Sequence, residues 1–161
     1  MLVPFEQLPD HARVWIYQAD RKMSNEEVQK IQPQISAFLT QWTAHGANLL
    51  AGFQVKYNRF IIIALDESQA SASGCSIDAS VHFIQSLEQE LGLGLLDKLN
   101  VTYYNGPHIA HKPLAEFKKM AKNKSVSKNT VVFNNLVNTK GEFEEFWEVP
   151  AKDSWHARFL A

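Results

Sequence analysis

The sequence predicts an α+β fold: a ferredoxin-like, split βαβ core with an antiparallel sheet, followed by a helical and irregular C-terminal extension. Three observations carry that prediction. Over residues 13–111 the apolar patterns run in the order strand, helix, strand, strand, helix, strand, which is the split βαβ order. The first and third strands, "RVWIYQ" and "FIIIAL", show the least polar alternation, as the two central strands of that topology should. With 161 residues, 45% apolar and 20% charged, the chain has the composition of a globular protein and the length of one domain. The expected organisation is a single domain, with 1–112 as the core and 113–161 packed on it.

Each element has a local reason. In "RVWIYQ", aromatic and β-branched residues alternate over a strand covered on both faces. The following segment starts with Ser24 as N-cap and Glu27 three residues on, a capping box, and Gly46 is expected to close it as a C-cap. Between them Val28, Ile31, Ile35, Phe38, Leu39 and Trp42 recur at steps of three and four, one apolar helical face, with a kink or fresh turn expected at Pro33. "LLAGFQVKY" alternates as a half-exposed strand, and Asn58–Arg59 is expected to turn it into the fully apolar "FIIIAL". A second helix is expected from Ser76 to Leu91, apolar on one face except at Glu88 and stopped by Gly92. "NVTYYNGPHIAH" reads as two short strands around Asn105–Gly106. After a short helix at "LAEFKKMAKN" the pattern loosens, and Phe143, Phe146, Trp147, Trp155 and Phe159 imply that the tail packs back on the domain.

A formal net charge of −1 gives no global argument for nucleic acid or an anionic membrane. Cys75 is the only cysteine, so no intrachain disulfide can form. No secretory pattern opens the chain, and its longest apolar run is far too short to span a bilayer. The expected location is therefore cytoplasmic, which makes the sequons at Asn100 and Asn123 chance matches.

The stretches "LPDHARVWIYQADR", "YNRFIIIALDESQASASGCSIDAS", "KPLAEFKKMAKN" and "FEEFWEVP" resemble a family of small bacterial, chiefly flavobacterial, proteins labelled "ABC transporter ATPase". That label implies ATP hydrolysis, and the residues argue against it. A phosphate-binding P-loop needs glycine amides followed by a lysine, and no glycine in this chain precedes a lysine. No nucleotide cofactor is expected.

The stretch closest to a chemical site is "ASASGCSIDAS", where a buried strand gives way to a helix. Small side chains admit close approach, and a helix N-terminus offers free amides with a partial positive charge of roughly half an electron. Ser71, Ser73, Gly74, Cys75, Ser76 and Asp78 are the candidate residues for a small anionic ligand. The plain alternative is a tight connection capped by Ser73 or Ser76, with Cys75 as a small buried filler. In the ligand reading Gly74 is expected to be needed for its backbone and Cys75 only for its size. The same helix field would favour the Cys75 thiolate, which raises a thiol-dependent enzyme as a third reading. His11, His45, His82, His108, His111 and His156 are its possible bases, none placed beside Cys75 by spacing. His108 and His111 would point to opposite faces of a strand, so no metal site is expected.

A second candidate is electrostatic. Six lysines lie between Lys112 and Lys128, with Lys118, Lys119, Lys122 and Lys124 at their centre, while Glu142, Glu144, Glu145 and Glu148 crowd the next segment. The lysines would hold RNA or an acidic protein partner, with Tyr103 and Tyr104 as stacking surfaces, or else meet the acidic segment within the same molecule.

Overall fold

The computed structural model describes residues 1–160 and gives an α+β protein built on antiparallel sheets. Its contacts sort the chain into two compact units. The first is Met1–Asp97 with Asn138–Gly141, and the second is Lys98–Val137 with the segment from Glu142 onward.

In the first unit, β1 (Arg13–Gln18) leads to α1 (Asn25–Gln41), a short hairpin of β2 (Thr43–Ala44) and β3 (Ala47–Asn48), β4 (Leu50–Lys56), β5 (Phe60–Asp66) and α2 (Gly74–Leu91). The sheet order is β1-β5-β4, with both outer strands antiparallel to β5. β1 and β4 are therefore parallel to each other and joined across β5 by α1. Phe60, Ile61, Ile62, Ile63, Ala64 and Leu65 are all buried, so β5 has no exposed face, as its unbroken apolar run implies. Ile31, Ile35 and Leu39 of α1 and Ile84, Leu87 and Leu91 of α2 join Ile61, Ile63 and Leu65 in one cluster, which places both helices on the same side of the sheet.

Local chemistry sets the helix ends. Ser24 and Glu27 form the expected capping box, and Arg21 clamps the Glu27 carboxylate with two bonds of 2.8 Å. That guanidinium holds the Glu27 pKa down at about 2. α1 runs through Pro33 without interruption. It ends at Gln41, five residues before the expected cap, because His45 (φ 51°) and Gly46 (φ 79°) form the left-handed turn of the β2–β3 hairpin instead. Tyr57 and Asn58, both left-handed, close the next hairpin one residue earlier than expected. Gly92 adopts φ 64° and gives its N–H to the Glu88 carbonyl, the αL stop foreseen at that residue. Glu88, the polar intruder on the α2 face, accepts the N–H groups of Leu95 and Leu96 at 2.7 and 3.1 Å and shapes the exit from the helix.

Backbone flanks both outer strands of this sheet. Val14 N–H donates to the Asn138 carbonyl, and Arg13 bridges Thr139, so residues 138–139 occupy the outer edge of β1. Val3 N–H reaches the Ala51 carbonyl at 2.9 Å on the outer edge of β4. Gly52 makes that approach possible, since a Cβ there would stand 2.6 Å from the Val3 carbonyl oxygen and 3.1 Å from the Phe5 Cα. Gly52→Ala is expected to lower stability by about 1–3 kcal/mol in urea unfolding, because backbone must move to admit the methyl. An unchanged unfolding midpoint would show that the 3–5 segment is not held there.

The second unit contains β6 (Asn100–Asn105), β7 (His108–Pro113), α3 (Leu114–Lys122), β8 (Val131–Phe133), most of α4 (Lys140–Phe146) and β9 (Glu148–Pro150). Its sheet order is β7-β6-β8-β9, antiparallel throughout. β6, the fourth strand of the expected order, pairs with β7 and β8, while residues 138–139 flank β1. Phe117 of α3 packs with Val101, Tyr103, Val132 and Val149. The tail folds in through β9 and Trp147, though Phe146 stays 54% exposed. No helix among the described residues is long and apolar enough to cross a membrane.

Candidate functional site

The start of α2 is built by its own serines. Ser73 accepts the Ser76 N–H at 3.1 Å, and Ser76 Oγ accepts the Ser73 N–H at 2.7 Å, a reciprocal cap that uses serine at both ends. In the preceding loop Ala72 N–H is held by the Glu67 carboxylate at 2.9 Å. The N–H groups of Gly74 and Cys75 are left as the unpartnered donors of the first turn among the described residues.

Beside that turn lies a cleft of about 430 Å³, lined by Phe38, Gln41 and Trp42 from the end of α1, Thr43 and His45 from the hairpin, and Ser73, Cys75, Ser76 and Ala79 from α2. The buried Trp42 indole donates to the Ser76 carbonyl at 2.8 Å and pins α2 to the end of α1. Phe38 stacks on Phe83 with centroids 4.6 Å apart and meets Trp42 at 5.7 Å. One wall is thus aromatic, and the other carries hydroxyls, a thiol, an imidazole and the helix start.

Of the residues singled out from sequence, Ser73, Cys75 and Ser76 line this cleft, while Ser71, Gly74 and Asp78 lie on the exposed surface outside its lining. Two details change. Cys75 is exposed, not a buried filler; the small buried residue at this turn is Ser76. Gly74 has no left-handed φ, and a Cβ on it would meet nothing within 4 Å, so its backbone freedom is not required. Gly74→Ala is accordingly expected to leave the melting temperature unchanged or slightly raised. A drop of several degrees would restore the close-approach reading.

Sequence spacing missed Phe38, Gln41, Trp42 and Thr43 as cleft residues, and gave no reason to put His45 in the same cleft as Cys75. The His-Gly pair of "TAHGAN" was the available signal, being as good a turn former as a helix stop. His11, His82 and His108 are exposed elsewhere, and His111 lies across from Thr102 with Nδ1 3.4 Å from its hydroxyl. His156 is buried in the second unit. Among the described residues no three His, Cys, Asp or Glu side chains group as a metal site.

Lys118, Lys119, Lys122 and Lys124 are all exposed on or just after α3. The proposed stacking tyrosines do not accompany them. Tyr103 is buried against Phe117, and the Tyr104 hydroxyl donates to Glu148 at 2.6 Å while its ring stacks on Phe133. No protein-family model, no curated protein and no solved structure matches this chain.

Proposed function

We propose that the first unit is a non-catalytic binding domain whose cleft takes a small amphipathic acid. The apolar part of such a ligand lies against Phe38 and Trp42, and its carboxylate or phosphate meets the Cys75 amide at the helix start, with Thr43 and His45 facing it. The observation that carries this reading is the cleft itself: about 430 Å³, within the size range of small-molecule sites, aromatic on one wall and edged by a helix N-terminus. The unit's three strands and crossover helix correspond to the split βαβ half of a ferredoxin-like fold. The single cysteine, with no disulfide to maintain, supports a cytoplasmic setting.

Phenyl phosphate, phenol and inorganic phosphate separate the two halves of the site. Melting with each should show phenyl phosphate raising the melting temperature most, by linkage to a bound state. The gain should vanish in Phe38→Ala and survive in Cys75→Ser. Equal shifts with all three probes, or none, would overturn the reading. A second reading, thiol chemistry, is favoured by one observation: His45 and Cys75 line the same cleft. Rapid alkylation of Cys75 below neutral pH, slowed in His45→Ala, would put it first.

A further inference from the structure

The net charge of −1 conceals an uneven distribution. The second unit carries nine Lys and Arg against six Asp and Glu, whereas the first carries seven against eleven. On α3 the helical repeat of about 100° per residue sets Lys118, Lys119 and Lys122 within an arc of roughly 100°. That arc lies opposite the fully buried Phe117, with Glu116 at its flank. The C-terminal turn supplies aromatic surface to the same place. Lys118 Nζ stands 5.0 Å from the centre of the Phe159 ring, and the Arg158 guanidinium stands 5.5 Å from that ring and 5.9 Å from Trp155. Trp155 and Phe159 meet edge to face, their centroids 6.0 Å apart, and both rings are only half-buried.

We propose that this lysine arc and the Trp155–Phe159 turn form a binding surface for single-stranded nucleic acid. Phosphates are held by Lys118, Lys119, Lys122 and Arg158, while bases stack on Phe159 and Trp155. Unpaired bases have free ring faces to offer an aromatic side chain, whereas those of a duplex are already stacked on each other, so the combination selects single strands. The surface lies within the second unit and is independent of the cleft reading.

The test is fluorescence anisotropy of the full chain with a labelled 20-nucleotide oligouridine, run beside a duplex of equal length and anionic phospholipid vesicles. With about four phosphate contacts, the affinity for the single strand should fall roughly 50-fold between about 50 and 200 mM salt. Lys119→Gln with Lys122→Gln, both exposed, should keep the melting temperature while reducing the salt slope by about 1.4. Phe159→Leu should weaken binding at every salt concentration without changing that slope. Absent or salt-insensitive binding overturns the proposal. So does duplex binding as tight as the single strand, a double variant that binds like wild type, or preference for the vesicles, which would mark a membrane-facing surface instead.

Discussion

Trp42→Ala is expected to destabilise the protein by about 3–5 kcal/mol, the range for removing a large buried aromatic. The residue is 3% exposed, meets the Trp15 ring edge-on at 5.9 Å and joins the cluster under the three-stranded sheet. Its loss opens a cavity between α1 and α2 and removes the donor to the Ser76 carbonyl. Trp42→Phe keeps most of the ring and loses mainly that bond, so its cost should be nearer 1 kcal/mol. Urea unfolding of both variants checks the pair. A cost below about 1 kcal/mol for alanine would mean that the helices are held together elsewhere and that the cleft wall does not depend on this ring.

Legibility in the sequence followed the range of the interaction. β1, β5 and the Ser24–Glu27 cap are specified within a few residues, and they came out as read. The end of α1 did not, because the glycine that signals a helix stop signals a hairpin turn equally well, and only the pairing of Thr43 with Asn48 decides between them. The fourth strand has apolar positions, Val101 and Tyr103, that would suit either sheet. The edge of β1 is flanked instead by a segment more than thirty residues further on, at 138–139.

The same contrast runs through the site. Ser73 and Ser76 were readable as caps, but the bond from Trp42 to Ser76 links residues 34 apart and leaves no local mark. A run of small residues pointed to Gly74 as the place of close backbone approach. The glycine that meets such an approach is Gly52, inside an ordinary strand pattern, where the neighbouring backbone is invisible to periodicity.

The second unit should lose stability in mild acid through His156. Its imidazole is 1% exposed, stacked on Trp155 at 3.8 Å, edge-on to Phe117 at 5.7 Å, and its Nδ1 lies 2.6 Å from the Ser154 hydroxyl. Burial, with a smaller contribution from the Arg158 charge, lowers its pKa to about 4 from an ordinary 6.5. The folded state therefore holds the ring neutral while the unfolded state takes up a proton more readily. Its contribution is fully present above pH 6.5 and is lost as pH falls toward 4. One proton over that window amounts to roughly 3 kcal/mol. Glu27 responds in a different range. Its pKa, held at about 2 against an ordinary 4.5, keeps its contribution intact until the pH falls below the upper value. Urea midpoints should thus fall between pH 6.5 and 4.5 in the wild type and stay nearly level in His156→Phe, whose ring keeps the packing against Trp155 and Phe117. An equal fall in both proteins would move the acid sensitivity to the carboxylates and away from this histidine.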